Sequence, residues 1–318
     1  NIQMNPLGTG AFGKVYKCVS VETKETVALK SVKKWTGEKE VAMLEKLRTL
    51  DKDNSNLIKF NKHFEFAGFL TLEFEMLDMD LHQFVKSFTR PLQLPEIQAI
   101  TQQMLVALDA LKSVRVVHTD IKPDNIMLIN HQQLPFKVKL IDFGLAHTIS
   151  EMHTGTKHQA TLYRAPEVLL GLPLHEGLDM WSLGCVAAYL YLGQHLYPSR
   201  CEHERMRDTR KFLFNTLGSL DDIVRSCPDH TGNEKAFVNL LKEMMEVDAS
   251  ERITPCKALE HPFITSARNL SDSSHQIQSH LCNFISMSIL IPLRETTHHH
   301  VCISNRLHLV ELYGHIPF

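Results

Sequence analysis

An α+β protein in two lobes, a small β-rich one followed by a larger helical one, is the fold this sequence predicts. Three observations carry that expectation. The N-terminal part holds short β-rich runs, 15–21, 26–30 and 70–77, with one amphipathic helix among them. After Leu94-Pro95-Glu96, the residues Ile97, Ile100, Met104, Leu105, Leu108 and Leu111 fall on one helical face. And 318 residues, 43% hydrophobic and 22% charged, suffice for one large or two medium domains with a sizeable core.

Leu7-Gly8-Thr9-Gly10-Ala11-Phe12-Gly13-Lys14-Val15 carries a Gly-x-Gly-x-x-Gly spacing. With 14 glycines in the chain, chance produces such a spacing with odds of roughly three in a hundred, so context must decide its meaning. A dinucleotide fingerprint needs a helix directly after the loop, and a Walker loop needs Gly-Lys-Ser/Thr. Here Val15 follows Gly13-Lys14, and the β-rich run 15–21 places the loop in a hairpin. Its glycines permit close approach of the backbone, and Phe12 stands at the tip. The next strand, 26–30, ends on Lys30; a lone strand lysine is ordinarily a solvated edge residue. From Glu38 to Leu50, Val41, Leu44 and Leu47 repeat at helical spacing, with Glu38, Glu40 and Glu45 beside the stripe. In the strand 70–77, Phe74 is expected in the core, while Glu73 has no explanation in an apolar run.

The helix from Leu94 delivers the chain to His118-Thr119-Asp120-Ile121-Lys122-Pro123-Asp124-Asn125, followed later by Ile141-Asp142-Phe143-Gly144. Between them, 126–129 and 137–141 read as two short strands joined by a polar turn, which brings Asn125 and Asp142 together. Two oxygen ligands completed by substrate phosphates suit Mg²⁺. Phosphoryl transfer passes through a loose transition state, so it asks the protein mainly for charge, geometry and a carboxylate such as Asp120 beside the incoming hydroxyl. Chance produces His-x-Asp-x-Lys-x-x-Asn in a chain of this length with odds of roughly two in a thousand. These motifs resemble the catalytic and metal-binding loops of eukaryotic protein kinases.

That resemblance implies the bilobal eukaryotic protein kinase fold, with the small lobe over 1–77, the large lobe over 78–265 and a tail over 266–318 without assigned function. It implies ATP and Mg²⁺ as cofactors. Asp120 would orient and deprotonate a serine or threonine hydroxyl, and Lys122 would steady the transferred phosphoryl group; lysine at that place is typical of serine/threonine kinases. Asn125 and Asp142 would be the metal ligands. Leu7, Gly8, Thr9, Gly10, Ala11, Phe12, Gly13, Val15, Ala28 and Leu128 would enclose ATP, with Lys30 on its α- and β-phosphates and Glu40 holding Lys30. Phe74 matches the gatekeeper, with the backbone from Glu75 to Leu77 facing adenine. Three roles are structural: Glu167 and Arg252 as a buried ion pair, and Asp179 holding the catalytic loop from below.

Tyr163-Arg164-Ala165-Pro166-Glu167, with Val168-Leu169-Leu170-Gly171, resembles the proline-directed (CMGC) branch of kinases, which includes the dual-specificity group. The finer likeness is to the homeodomain-interacting protein kinase family. It rests on Phe74-Glu75-Met76-Leu77, Ile141-Asp142-Phe143-Gly144, Leu169-Leu170-Gly171-Leu172-Pro173 and Asp179-Met180-Trp181-Ser182-Leu183-Gly184-Cys185-Val186. It spans Leu7 to about Pro198 and resumes from about Arg210 to Phe263. The likeness implies Ser/Thr-Pro target sites, transcription factors or co-regulators as protein substrates and partners, and a nuclear location with the cytoplasm second; a monomer is expected, though nothing in the sequence fixes the oligomeric state.

Departures from the pattern define a rival. Thr119 stands where most kinases carry an arginine that grips a phosphorylated activation-loop residue; the homeodomain-interacting group lacks that arginine too, and a threonine cannot form the charge-assisted pair. Lys157 stands where a tyrosine is usual, so activation is expected to be constitutive or to bypass that site. Between Pro198 and Arg210 the chain is abbreviated, around 199–209, where the family carries a helix and an insert. A catalytically weak scaffold acting as a transcriptional co-regulator is therefore the alternative to an active kinase. Composition excludes other classes. A formal net charge of −2 offers no basic excess for direct nucleic-acid or membrane binding. Seven dispersed cysteines suggest neither a zinc site nor a disulfide framework, so a reducing compartment is expected. No apolar run reaches membrane length, so a soluble chain is expected; it opens on Asn1, as a piece of a longer protein would. His298-His299-His300 reads as solvated tail.

Overall fold

β-Branched and aromatic residues in the N-terminal part build one antiparallel five-stranded sheet. Its strands are β1 (Asn5–Gly10), β2 (Gly13–Val19), β3 (Thr26–Val32), β4 (Phe60–Phe66) and β5 (Phe69–Glu75), in the order β1-β2-β3-β5-β4. The computed structural model describes residues 5–10, 13–20, 23–51, 54–87, 90–156, 158–196 and 232–266. Ala11, Phe12, Lys157, the 199–209 stretch and the tail beyond Ser266 lie outside the described residues. The glycine loop sits between β1 and β2, whose register closes on Gly10↔Gly13. Gly13 tolerates no side chain: an added Cβ would come 2.2 Å from the Ser31 carbonyl oxygen. The register Val15↔Lys30↔Leu72 then sets Lys30 in the middle of the sheet rather than at an edge.

Helix α1 (Lys34–Leu47) crosses this sheet. It starts four residues before the periodicity suggested and ends at Leu47, because its buried face is Gly37, Glu40, Met43, Leu44 and Leu47, with Val41 only half-buried. The expected stripe of apolar residues missed a glycine and a glutamate that face inward. At Gly37 an added Cβ would lie 2.6 Å from Val32 and 2.8 Å from Leu70, so the missing side chain is what lets the helix close on β3 and β5. Glu73 also finds its reason here. It is buried opposite Lys62 across β4–β5, accepts from Asn61 Nδ2 at 3.3 Å, and faces the Lys62 ammonium at 3.9 Å. β4 escaped the sequence reading since only Phe60 among its residues is buried, which erases the period-two pattern.

The helical lobe begins with α2 (Leu81–Ser87) and α3 (Leu94–Ser113). Pro95 occupies the first turn of α3 and Gln93 with Glu96 closes a capping box, reinforced by Arg90, whose two nitrogens reach Glu96 at 2.8 and 2.5 Å. β6 (Val116–Val117) follows and pairs with β9 (His147–Thr148), while β7 (Ile126–Asn130) pairs with β8 (Leu134–Leu140). α4 (Pro166–Leu170) leads to α5 (Gly177–Leu192), which is buried continuously from Leu178 to Leu190. A helix apolar on all sides is the core of its lobe. α6 (Gly232–Met244), α7 (Pro255–Leu259) and α8 (Pro262–Thr265) complete the described elements. This is the α+β bilobal architecture of the protein kinase fold, and the described residues form one compact unit.

Glu167 and Arg252 join α4 to the turn before α7. Arg252 Nη1 and Nη2 meet the two carboxylate oxygens at 2.7 and 3.0 Å, Nη1 and Nε also donate to the carbonyls of Gly177 and Glu246, and the guanidinium covers Trp181. Removing one partner strands a buried charge. Arg252→Ala is therefore expected to lower unfolding stability by about 3–5 kcal/mol, read as a reduced urea midpoint. A change below about 1 kcal/mol, the range of an exposed pair, would contradict it.

Candidate active site

Three titratable side chains meet where α1, β3 and the end of β8 converge. Lys30 Nζ lies 2.6 and 2.8 Å from the two oxygens of Glu40 and 2.8 Å from Asp142 Oδ1. Glu40, rather than Glu38 or Glu45, is the α1 glutamate turned inward, at 3% exposure. Burial works against the charge on Lys30, but Asp142 and Glu40 outweigh it and hold its pKa above the ordinary lysine value. Burial likewise pushes Asp142 up, yet Lys30 and the Gly144 N–H bring it below the usual carboxylate range. Glu40 goes the other way: burial raises it, and Lys30 does not compensate fully because Asp142 adds repulsion. One ammonium thus serves two carboxylates, leaving a site with an excess negative charge. Gly144 borders it closely; an added Cβ would stand 3.2 Å from Asp142 Oδ1 and 3.4 Å from Glu40 Oε2.

The second cluster lies on the loop between β6 and β7. Asp120 Oδ2 accepts from Lys122 Nζ at 2.7 Å and from Asn125 Nδ2 at 2.9 Å, and the same Asn125 amide donates to the Asp120 carbonyl at 2.8 Å. Since Asn125 uses its amide hydrogens on Asp120, what it offers a cation is its carbonyl oxygen. The Ile141 N–H donates to the Asn125 backbone carbonyl at 2.9 Å, which leaves the side-chain Oδ1 uninvolved and draws the residue before Asp142 against Asn125. The two-strand ribbon β7–β8 makes that possible, as the spacing of the two motifs suggested.

Two residues of this site sit in the left-handed region, Thr119 at φ +64° and Asp142 at φ +62°. For a β-branched threonine this costs about 1–3 kcal/mol, so the surroundings must enforce it. Asp179 in the first turn of α5 does so: its oxygens accept from the His118 N–H at 2.7 Å and the Thr119 N–H at 3.0 Å. His118 passes the constraint on. Its Nδ1 accepts from the Asp120 N–H at 3.2 Å, so Nε2 carries the proton and donates to the Ile141 carbonyl at 2.9 Å. Its ring stands edge-on to Phe143 with centroids 5.1 Å apart. The Thr119 hydroxyl donates to the Leu145 carbonyl at 2.6 Å.

The other positions expected at the site differ in burial. Phe74 is buried against Phe60, opposite Ala28 in the sheet. The Glu75 carboxylate is engaged by the protein, accepting from the Lys59 N–H at 2.7 Å and Lys139 Nζ at 2.5 Å. Leu77 and Leu128 are buried, Val15 and Ala28 half-buried, and Leu7 and Gly8 exposed on β1, which also carries Thr9 and Gly10. Sequence reasoning passed over Gln159 and His158 in the segment after Gly144, because a single buried amide or imidazole in a loop leaves no pattern to read.

A sheet that carries the glycine-loop hairpin beside the strand of Lys30, a Lys-Glu-Asp triad and an Asp-Lys-Asn loop fit the kinase class, and comparison with known proteins agrees. The protein kinase domain model matches residues 2–264, and the chain belongs to that family. Its relatives are narrower in kind. The chain is 35% identical to homeodomain-interacting protein kinase 2 of Mus musculus, over 89% of this chain and 29% of the relative. It is 34% identical to homeodomain-interacting protein kinase 1 of Caenorhabditis elegans (81% and 39%) and 31% identical to homeodomain-interacting protein kinase 4 of Homo sapiens (87% and 57%). It is thus a CMGC-type serine/threonine kinase domain related to these proteins, and spans well under two thirds of the length of each. The mouse alignment runs over 349 positions against 318 residues here, so the relative carries residues without counterpart in this chain.

Asp179 yields a test of the site's anchoring. Complete burial raises its pKa to about 6, against the helping N–H groups of His118 and Thr119. Between the ordinary aspartate value of about 4 and about 6 the folded state holds a proton that the unfolded state has lost. This group's contribution to stability therefore falls as pH rises through that window and is constant above it. Asp179→Asn should remove that slope in pH-dependent denaturation and speed amide exchange at His118 and Thr119, one of which loses its acceptor. An unchanged exchange rate at both amides would show that the loop is held by something else.

Proposed function

We propose that this chain transfers the γ-phosphate of ATP to serine or threonine hydroxyls of protein substrates. The observation that carries this reading is the joint geometry of the two clusters: Lys30 bonded to both Glu40 and Asp142, beside Asp120 bonded to Lys122 and Asn125. Asn125 and Asp142 present the hard oxygen donors that Mg²⁺ takes, and a local excess of negative charge favours a cation there. Among the described residues no group of three His, Cys, Asp or Glu side chains could hold a metal ion by itself, so the coordination shell would be completed by nucleotide oxygens and water. Bound Mg²⁺ supplies the positive charge that offsets the phosphate oxygens.

The chain's own residues do the rest. Lys30, kept charged by Glu40 and Asp142, orients the triphosphate under the glycine loop. Asp120 accepts the hydroxyl proton, and Lys122, already 2.7 Å from it, stands ready to follow the transferred phosphoryl group. The pocket for adenine is assigned to Leu7, Gly8, Thr9, Gly10, Ala11, Phe12, Gly13, Val15, Ala28, Phe74, Leu77, Leu128 and the Glu75 backbone. Lobes over 1–77 and 78–265 enclose it. Likeness to homeodomain-interacting protein kinases supports Ser/Thr-Pro sites, transcription regulators as substrates and the nucleus as location. No helix among the described residues is long and apolar enough to cross a membrane.

The scaffold alternative draws on the residues that the relatives carry and this chain lacks. It predicts a thermal shift with Mg-ATP and no transfer of radiolabelled phosphate to a generic basic protein. The kinase reading predicts both. Asp120→Asn should lower turnover by about 10²–10⁴-fold with Mg-ATP binding retained, whereas Lys30→Met should weaken nucleotide binding as well. Undiminished transfer by either variant would remove the assignment.

A further inference from the structure

The Leu145 carbonyl, just past Gly144, accepts two hydrogen bonds. One comes from the Thr119 hydroxyl at 2.6 Å and the other from His147 Nδ1 at 2.7 Å, which places the proton of that imidazole on Nδ1. The His147 ring stands edge-to-face against His158, centroids 4.9 Å apart and 77° between planes. His158 is 6% exposed, and its Nε2 is buried with no hydrogen-bond partner. Beyond it the chain is fastened at every step. Arg164 donates to the carbonyls of His158 and Gln159, both at 2.9 Å. Gln159, left-handed at φ +66°, gives its amide hydrogens to the Leu178 carbonyl and Ser182 Oγ and accepts from the Ala165 N–H. A continuous path thus runs from the catalytic loop through 145, 147 and 158 to the buried helix α5.

The charges that face His158 have one sign. His158 faces His147 from β9 and Arg164 from the segment before α4; His147 in turn is near Glu151 of the following turn, which also feels Lys46 of α1. A proton added to His158 would sit buried beside Arg164 without an anion. Burial first, then His147 and Arg164, keep its pKa below the ordinary imidazole value.

We propose that Thr119 and His158 are positioning residues for the phosphotransfer: Thr119 and His147 fasten the Leu145 carbonyl, and uncharged His158 wedges His147 in place, seating the activation segment without a phosphorylated side chain. The inference rests on the kinase reading. An arginine at position 119 would need a phosphate to complete such a tie; a threonine hydroxyl needs only a carbonyl. The seat requires neutral His158, so it weakens as pH falls below about 6.5 and is fully formed above.

The test uses the whole chain, treated with phosphatase, shown phosphate-free by mass spectrometry, and assayed from pH 5.5 to 7.5. Activity should stay within about twofold of the untreated protein. Thr119→Ala should lower kcat about tenfold with KM for ATP unchanged, and Thr119→Ser should restore it. His158→Leu, normalised to its own value at pH 7.5, should lose less activity on acidification than the parent. Loss of activity on dephosphorylation, full kcat in Thr119→Ala, or an unaltered acid limb in His158→Leu would each overturn the proposal. If the parent binds Mg-ATP but transfers nothing, the kinase reading fails separately. Amide exchange over 143–149 in the parent then decides the seat: acceleration below pH 6.5 supports it, and a pH-corrected rate that does not change refutes it.

Discussion

Asp179 is the constraint on which the site depends. One buried carboxylate at the start of α5 accepts the N–H groups of both His118 and Thr119, and so holds Thr119 in a left-handed conformation that a β-branched residue avoids. The position suits an anion twice over, since the N-terminus of a helix favours negative charge and two backbone donors converge there. From this point rigidity spreads outward: to Asp120 through His118 Nδ1, to Ile141 through His118 Nε2, and to Leu145 through the Thr119 hydroxyl. The helical lobe thereby dictates the backbone of the loop that carries Asp120, Lys122 and Asn125.

The sheet contributes the other half by a different means. Lys30 is central in a five-stranded sheet, so its position follows from strand register, and α1 is brought close enough to present Glu40 because Gly37 leaves room against β3 and β5. The triad of Lys30, Glu40 and Asp142 is then an ion cluster spanning elements of distant sequence. Such clusters contribute little net stability once desolvation is counted. Its unequal charges matter more here, for they leave a deficit that a cation and a nucleotide can complete.

The segment after Gly144 shows how a chain can meet a requirement with different chemistry. An arginine-phosphate tie is strong and switchable because it is charged. Thr119, His147 and Gln159 make ties that need no phosphate, and in the proposed seat the sensitivity moves from phosphorylation to protonation of His158. The cost is a buried imidazole with an unpartnered nitrogen, tolerable only while it stays uncharged.

Much of this was legible without coordinates. The ribbon 126–140 and the helix from Leu94 follow from alternation, helical period and a proline in the first turn, all local effects. So does the approach of Ile141, the residue before Asp142, to Asn125, because a short two-stranded ribbon joins the two motifs. What local pattern could not reveal was anything set by contact between distant elements: that α1 buries Gly37 and Glu40 in place of Val41, that Glu73 is matched by Asn61 and Lys62 on a strand with no alternation, and that His158 is enclosed beside His147. The sequence by itself determined which chemical groups exist and which neighbours along the chain they keep. Only the tertiary structure decided which of them are stripped of water and brought within bonding distance, since burial and approach depend on how β3, α1, α5 and the activation segment stack together.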